Sequence, residues 1–497
     1  MKRFILFFAL AMMAVGASAQ PQMPTFRFGE MTKGYDNLMA HNSHIIADLG
    51  GEWIIATWET RGFLGSHFPM GLQVVVVDTN MKVLRQVKLP DTRFSELVFT
   101  SYVDGKAYVL YRNQVYTQYY RAVIDPKSMT LESCEKIIDN LHGENLDAYS
   151  WEAKSDNGLF YALAGVFVNT VSKEMVHRQL LLDEKFEVLW EKRYAANDLS
   201  QITVDNDGVM SLFGYRYDKK SGETIVTVNI LDVDDEHQVV GRVSVGEVYR
   251  LCLLNMTDNH AVAAGFIRTP ESPKKSDCFD KMVGMSLNLR TKELKAQTIK
   301  FTSDELNVFG NKSLKKENKV GMVDALAISN HTGTDYGGVM LLQRIWKVTT
   351  HSTKVPDVHD YFTMGYLALA VDTTGTILWH LPFRSVTTER TGQNNDIPCY
   401  GDAIVIAEGN TTYIMLPEAA KTTPTYDISS TVSKFMLGTR VHSYAIYGID
   451  KEGKIAKQVL VQKDKTSLMD NFLRLSPGHY ISIHSFYKKS AFVHVDF

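Results

Sequence analysis

The sequence predicts an all-β fold made of four-stranded antiparallel units that repeat along the chain. Three observations support this: a hairpin pattern recurs about every 60 residues, a fainter apolar pair lies between successive hairpins, and no stretch shows the sustained 3.6-residue apolar period of a capped helix. Four-stranded units in tandem without helices between them are typical of the blades of a β-propeller. We therefore predict a β-propeller.

The clearest hairpin is LALAVDTTGTILWHLPF, residues 367–383. An apolar strand ends at Asp372, a polar turn contains Gly375, and the second strand carries Trp379, which together indicate two strands joined by a tight turn. Six other hairpins have Asp or Asn at the position of Asp372, namely Asp78, Asp125, Asp183, Asp232, Asn288 and Asp450. We assign each such hairpin to the third and fourth strands of a blade.

The first and second strands of a blade form the fainter pair, two apolar strands around a polar or Gly-containing turn. Examples are residues 44–58, 202–215, 253–267 and 403–416. Seven complete sets of four strands are found, and three further strands follow at 472–475, 480–486 and 491–497.

An open ring would leave an exposed strand edge that invites aggregation. We expect Thr25–Phe28 to supply the missing outer strand, which gives eight blades and a ring closed by the N- and C-terminal strands. Seven blades, with one hairpin misassigned, is the alternative.

The first 19 residues are typical of a bacterial signal peptide. Lys2 and Arg3 precede an apolar run at 4–15, and Ala17-Ser18-Ala19 precedes Gln20. The run is about a dozen residues, short of the roughly 20 that span a bilayer, which disfavours a membrane anchor. We expect cleavage after Ala19, a single propeller domain over 20–497 without a transmembrane span, and a periplasmic, cell-surface or secreted location.

The composition and the cysteines limit the possible partners. The formal net charge is −3 with both signs evenly mixed, so nothing favours nucleic acid or an anionic membrane as a partner. We expect a monomer. Cys252 and Cys278 are the closest cysteines in sequence, and they either form a disulfide within one blade or remain buried thiols.

The motif at 372–379, DTTGTILW, resembles the repeat of the quinoprotein-like (PQQ-repeat) propeller superfamily, whose blades carry a strand, an Asp, a Gly-containing turn and a Trp. The resemblance extends over the mature chain at the level of blades, and it implies a propeller whose termini close the ring. It does not imply a quinone enzyme, because the chain has no adjacent cysteine pair and only six tryptophans. We expect a non-enzymatic exported member with no cofactor.

Connection lengths differ between the two faces of the predicted disc. The turns between strands one and two, and between three and four, are short and lie on one face, the short-turn face. The other connections lie on the opposite, long-loop face, and they include 59–70, 268–280, 302–320, 348–360, 384–398 and 417–442. Binding residues concentrate on loops held by a rigid scaffold, so we place function on the long-loop face. Insertions without a role are the alternative.

Candidate ligand-binding residues are aromatic, basic and acidic side chains in or beside these long connections. They are Trp58, Arg61, His67, Phe68, Arg344, Trp346, His351, His359, Asp360 and Arg384. Aromatic faces beside Arg and His suit a sugar or a peptide. Alternatively, Trp58 and Trp346 pack between blades. No metal-binding or nucleophile motif is present, so we predict no metal site.

These observations favour an exported binding or scaffold module for an envelope protein, peptide or glycan. The alternative is a glycoside hydrolase or lyase with its site in the central funnel. An enzyme would bring two carboxylates, or a carboxylate and a histidine, together there, whereas a scaffold would present an apolar or mixed patch on the rim.

Overall fold

The computed structural model describes most of the chain. It describes residues 20–30, 43–63, 66–90, 92, 95–113, 118–137, 144–169, 175–194, 198–268, 278–309, 323–324, 326–350, 358–383, 387–391, 403–418, 426, 443–461, 472–486 and 489–497. Within these residues, no helix has the length and apolar character needed to cross a membrane.

Eight antiparallel sheets, each with a path of four strands, form a ring, which confirms the eight-bladed propeller and excludes the seven-bladed alternative. Within a blade, each strand pairs with the next along the chain. The first strands contact one another between blades 1 and 2 and along blades 3 to 7, so these strands line the centre of the ring. Blades are numbered 1 to 8 in chain order.

Blades 1 to 4 follow directly along the chain. Blade 1 consists of β2 (His44–Asp48), β3 (Glu52–Phe63), β4 (Ser66–Asp78) and β5 (Val83–Lys88), and blade 2 consists of β6 (Ser95–Val103), β7 (Lys106–Asn113), β8 (Gln118–Asp125) and β9 (Thr130–Lys136). Blade 3 consists of β10 (Glu144–Lys154), β11 (Tyr161–Asn169), β12 (Met175–Leu182) and β13 (Val188–Lys192), and blade 4 consists of β14 (Leu199–Val204), β15 (Met210–Asp218), β16 (Glu223–Leu231) and β17 (Glu236–Val243).

Blades 5 to 8 carry the additional elements. Their strands are β18 (Val248–Met256), β19 (His260–Arg268), β20 (Cys278–Asn288) and β21 (Leu294–Lys300), with β22 (Val323–Asp324) on β20; β23 (Leu326–Thr334), β24 (Gly337–Thr350), β25 (Val358–Asp372) and β26 (Ile377–Phe383), with β27 (Thr387–Thr391) on β25; β28 (Ile404–Glu408), β29 (Thr411–Glu418), β30 (Ser443–Asp450) and β31 (Ile455–Val461); and β32 (Leu473–Ser476), β33 (His479–Phe486) and β34 (Lys489–Asp496).

The N-terminal strand β1 (Thr25–Phe28) closes the ring as predicted. It pairs antiparallel with β34 as the fourth strand of blade 8, with Phe26 opposite Val495. The residues before it are also held, because the Tyr413 hydroxyl of blade 7 donates to the Gln22 carbonyl at 2.7 Å. Both ends of the described chain therefore belong to one blade.

The aspartates that mark the third strands organise the turns that follow them. Asp372 Oδ1 accepts the backbone N–H groups of Thr374 at 2.8 Å and Thr376 at 2.9 Å. The same pattern occurs at Asp78 and Asp183. An Asp side chain that caps a turn in this way explains why the residue recurs at this position.

Each turn also packs against the preceding blade. The third residue after Asp372 is Gly375, whose φ is +85° and whose position leaves no room for a Cβ, since Ser286 N of blade 5 would lie 2.8 Å away. Phe186 takes the equivalent position in blade 3 with φ +60°, and it is fully buried among side chains of blades 2 and 3. The turn residues are therefore contacts between blades.

Replacing Asp372 with alanine is expected to lower the free energy of unfolding by about 1–2 kcal/mol, because two backbone N–H groups lose their acceptor. Denaturant unfolding measures this. Asp232→Ala is the matched control, since Asp232 Oδ1 accepts from the adjacent Val233 N–H and bridges no turn. An equal loss in both variants would contradict the proposed role of the turn.

Two segments predicted as loops are instead extended hairpins. β3 and β4 remain paired through 59–70 as far as Phe63 opposite Ser66, and β24 and β25 remain paired as far as Thr350 opposite Val358. Each ladder passes one register shift and continues, so that the backbone N–H and C=O groups are satisfied by pairing. The predicted loop at 59–70 is therefore largely strand, and the described parts of the one at blade 6, residues 348–350 and 358–360, are strand as well.

The connection after blade 5 contains helix α1 (Ser303–Phe309). Thr302 and Glu305 form a capping box, in which the Glu305 N–H donates to Thr302 Oγ1 at 3.3 Å and the Thr302 N–H donates to Glu305 Oε2 at 2.6 Å. The buried Glu305 carboxylate also contacts His380 of β26. This contact ties the helix to the outer strand of blade 6.

Cys252 and Cys278 do not form a disulfide with each other, and Cys134 is also a free thiol. Cys252 lies on β18 and Cys278 on β20, with β19 between them. Cys252 is level with Gly284 on β20, which is six residues, or about 20 Å, from Cys278. A disulfide needs a Cα separation below about 7 Å. Both side chains are buried.

Candidate functional site

The structure separates the predicted site residues of blade 1 into two groups. Trp58 is 6% exposed in the apolar cluster between blades 1 and 2, so it packs between blades as in the alternative interpretation. Arg61, His67 and Phe68 lie on the extended hairpin of β3 and β4, where Arg61 pairs with Phe68. The hairpin therefore brings three of the four predicted residues together.

The predicted residues of blade 6 lie on the second extended hairpin. Arg344 is buried in β24 and pairs with Leu326, whereas Trp346 lies further along the same strand. His359 and Asp360 are strand residues of β25, where they pair with Thr349 and Val348 on one side and with β27 on the other. His351 and Arg384 lie outside the described residues. The described residues of these two groups lie on blades 1 and 6, which are not neighbours in the ring.

A charged cluster absent from the predictions lies between blades 2 and 3, beside the centre of the ring. It consists of Glu96 on β6, Arg112 on β7, Tyr119 on β8 and Glu152 on β10, and is called the Arg112 cluster below. Arg112 pairs with Glu96 across the first two strands of blade 2. β6 begins and β7 ends on the side of the long-loop face, so Glu96 and Arg112 lie at the long-loop end of blade 2. Glu152 of blade 3 reaches them from near the end of β10.

One guanidinium joins two carboxylates in the Arg112 cluster. Arg112 Nη2 contacts Glu96 Oε2, and Arg112 Nη1 lies 3.7 Å from Glu152 Oε1. The Tyr119 hydroxyl donates to Glu152 Oε1 at 3.3 Å, and the Arg112 guanidinium carbon is 5.9 Å from the centre of the Tyr119 ring. The side chains of Glu152 and Glu96 remain 26% and 44% exposed. Both carboxylates are therefore accessible to water.

The two carboxyl groups differ in their electrostatic environment. Burial raises the pKa of the Glu152 carboxyl above its ordinary value; the Arg112 guanidinium opposes this effect and the Glu96 carboxylate adds to it. A carboxyl group with a raised pKa beside an ionised one can hold a proton for a ligand. The cluster can therefore accept hydrogen bonds through its carboxylates and donate them through Arg112.

The inner strands of blades 4 to 6 carry polar side chains of a different kind. The Gln201 side chain bonds to both backbone groups of Leu253 in blade 5. Asn255 Nδ2 donates to Gly337 O in blade 6 at 2.8 Å, and Asn330 Nδ2 donates to Ala403 O in blade 7 at 3.4 Å. These amides mimic strand pairing between neighbouring blades. They stabilise the wall of the ring, whereas the Arg112 cluster keeps exposed acceptors.

No sequence motif marks the Arg112 cluster. Glu96 lies 16 residues from Arg112, and Tyr119 lies 33 residues from Glu152. The ring brings them together because they lie on facing sides of adjacent blades. To find these residues from the sequence, one would need the strand assignment and also the offset between the strands of blades 2 and 3. Within the described residues, no group of three or more His, Cys, Asp or Glu side chains is arranged to hold a metal ion.

No protein-family model matches the chain, and no curated protein is similar to it. Among solved structures, it is similar to the Dos1 propeller at 8% identity and a TM-score of 0.44, with 95% of each chain covered. It is similar to an apocarotenoid oxygenase of Synechocystis at 10% identity and a TM-score of 0.34, with 89% of this chain and 94% of that chain covered.

It is also similar to prolyl oligopeptidase B of Galerina marginata at 9% identity and a TM-score of 0.36, with 93% of this chain and 56% of that chain covered. Similarities at this level support no statement about function. The β-propeller follows from the strand order of the chain itself. The resemblance of its repeats to quinoprotein-like blades stays a prediction.

Proposed function

We propose that the chain is an exported, quinoprotein-like β-propeller that acts as a binding or scaffold module, and that it takes a glycan, peptide or protein of the cell envelope on its long-loop face. The observation that carries this proposal is the Arg112 cluster, in which Glu96 and Glu152 stay exposed beside one arginine. The residues at 1–19, with Lys2, Arg3 and an apolar run, support export.

The chemistry of the Arg112 cluster suits a ligand rich in hydroxyl or amide groups. Carboxylate oxygens accept hydrogen bonds from hydroxyl and N–H groups, while the guanidinium donates in a fixed planar geometry. Arg112 also neutralises part of the negative charge of the two carboxylates, which favours recognition of a polar ligand over capture of a metal ion. The extended hairpins of blades 1 and 6 add surface on the same face.

A glycoside hydrolase or lyase is the second candidate, favoured by one observation. Glu152 has a raised pKa while Glu96 lies in a more exposed environment, and glycosidases use a protonated and an ionised carboxyl group as a pair. In that case Glu152 is the proton donor and Glu96 is the base or nucleophile. Against this candidate, the Arg112 guanidinium favours the ionised form of Glu152.

Replacing Glu152 with glutamine is expected to weaken binding of an envelope glycan or peptide about tenfold, because one charged acceptor is lost from the Arg112 cluster. Glycan and peptide arrays identify the probe, and isothermal titration measures the affinity. The matched control is Glu187→Gln, because Arg121 joins Glu135 and Glu187 in the same way at 3.1 and 3.3 Å elsewhere on the ring. Equal binding by both variants would contradict the proposed site.

The same variant separates binding from catalysis. An enzyme that uses Glu152 as its proton donor would lose about 10²- to 10⁴-fold in turnover when the residue becomes glutamine, while its substrate would still bind. A binding module would release no product from any polysaccharide with either protein. Product release by the unchanged protein, absent in Glu152→Gln, would replace the binding proposal with the enzyme.

A further inference from the structure

A second cluster of charged and aromatic side chains lies at the long-loop end of blade 5. Tyr249 lies near the start of β18, Arg250 follows it, and Arg268 ends β19. The guanidinium carbons of Arg250 and Arg268 both lie 5.7 Å from the centre of the Tyr249 ring. The two positive charges are therefore within twice that distance of each other. The buried Phe279 ring stacks with Tyr249 at 5.7 Å and supports it from within the blade.

The backbone of Arg250 lies in the left-handed region, as does that of Asp198 opposite Gly214 at the corresponding place in blade 4. The φ of Arg250 is +53° inside a strand, at a register shift between Tyr249 and Cys252. Gly265 on β19 accommodates this irregularity, because a Cβ there would lie 3.0 Å from Leu251 Cα and 3.1 Å from Arg250 O. The left-handed region is costly for a residue with a side chain, and such residues cluster at ligand-binding positions.

Contacts from blade 4 hold this backbone. Burial raises the pKa of the Tyr215 hydroxyl, and hydrogen bonds from the backbone N–H groups of Leu251 and Arg250 oppose that effect. Tyr215 therefore acts as the acceptor for an irregular part of β18. The arrangement fixes the direction in which Arg250 leaves the strand.

The charges of this cluster do not cancel. Arg268 Nη1 lies 3.8 Å from Glu247 Oε1, and both side chains are about one-third exposed. In the part of the chain that the structure describes, Arg250 has its aromatic contact with Tyr249 but no carboxylate within ion-pairing distance. The positive charge of Arg250 therefore remains unpaired among the described residues, and it lies no more than twice 5.7 Å from the guanidinium of Arg268.

We propose that Arg250, with Arg268 beside it, forms an anion subsite on the long-loop face that takes a carboxylate group of the bound ligand. Guanidinium groups recognise carboxylates through paired N–H···O bonds. The carboxylate belongs either to an acidic sugar or to the C-terminus of a peptide. This inference rests on the proposed function, since it assigns the anionic part of the ligand that the long-loop face binds.

Two pairs of probes test the subsite and identify its source. The first pair is trigalacturonate and its methyl ester, and the second is a tripeptide with a free C-terminus and its amide. The full protein is expected to bind one acid at least tenfold more tightly than its neutral partner in isothermal titration. Arg250→Gln is expected to abolish that preference, whichever acid shows it.

Lys292 provides a matched control on the same blade. It is a basic residue with φ +62°, exposed in the turn on the short-turn face. Lys292→Gln removes the same charge from the opposite face and is expected to leave the preference unchanged. Near-ultraviolet circular dichroism of both variants checks that the fold is retained. If Arg250→Gln alters the spectrum, Arg250→Lys serves as a second variant, because it keeps the positive charge and is expected to retain part of the preference for the acid.

The outcomes separate this inference from the proposed function. If the protein binds neutral and acidic probes equally, the anion subsite is wrong and the binding module stands. If an acid is preferred but Lys292→Gln removes the preference as well as Arg250→Gln, the assignment to Arg250 is wrong. If Arg250→Gln alone removes the preference while Glu152→Gln has no effect, the subsite stands and the Arg112 cluster is not part of the site.

Discussion

The segment 29–497 is expected to unfold at least about 4 kcal/mol more easily than the segment 20–497. Deletion of residues 20–28 would remove the outer strand of blade 8, together with its hydrogen bonds to β34 and the ion pair between Arg27 and Asp496 at 3.0 Å. Pro21 and Pro24 are buried, and Phe26 packs against the cluster between blades 7 and 8. The burial of these groups and the strand hydrogen bonds together account for the expected magnitude.

Denaturant unfolding measures the loss, and static light scattering is expected to show association through the uncovered edge of β34. A synthetic peptide of residues 20–30 should restore part of the stability when added in trans. Single variants provide the internal control: Phe26→Ala is expected to cost about 2 kcal/mol, and Phe28→Ala less than about 1, since Phe28 is 39% exposed. An unchanged unfolding midpoint in the deleted chain would mean that the ring closes without β1.

Gly375→Ala is expected to lower the free energy of unfolding by about 3 kcal/mol or more. Gly375 has a φ of +85°, and a Cβ at this position would lie 2.8 Å from Ser286 N and 3.1 Å from Lys295 O, both backbone atoms of blade 5. The left-handed conformation costs a residue with a Cβ about 1–2 kcal/mol. Overpacking against a neighbouring blade adds about 1–3 kcal/mol, because backbone atoms cannot move aside as side chains do.

Gly409→Ala separates these two contributions. Gly409 also has a positive φ, +55°, but nothing lies within 4 Å of its Cβ position. We expect this variant to lose about 1 kcal/mol, the conformational part alone. If chemical denaturation gave the same loss for both glycines, contact between the turn of blade 6 and blade 5 would contribute nothing to stability.

The strand pattern and the ring closure were predictable because they depend on local chemistry. Asp372 and Gly375 are needed wherever a strand must turn within a few residues, and the structure repeats the Asp interaction at Asp78 and Asp183. Closure by Thr25–Phe28 followed from counting strands, since one strand was missing from the last blade. Both inferences use rules that hold within a hairpin or within a sheet.

The sites were not predictable in the same way. The segment at 59–70 reads as an irregular insertion, because the residues that extend a hairpin carry no strict alternation. Arg112 and Glu152 meet only when the stagger of two blades is known, and that stagger is set by core packing. Arg250 has no local signature for its backbone conformation, since the space for it is made by Gly265 on the neighbouring strand. Tertiary context decides each of these features.

Closure through β1 and β34 has a kinetic consequence. Arg27 and Asp496 are 469 positions apart in sequence, and such distant pairing bears the full entropic cost of closing a long loop before it gains any contact. Folding rates fall as contacts become less local. Strand β1 must therefore wait, unpaired, until β34 has been synthesised, and the time spent in that open state depends on how fast the eighth blade forms.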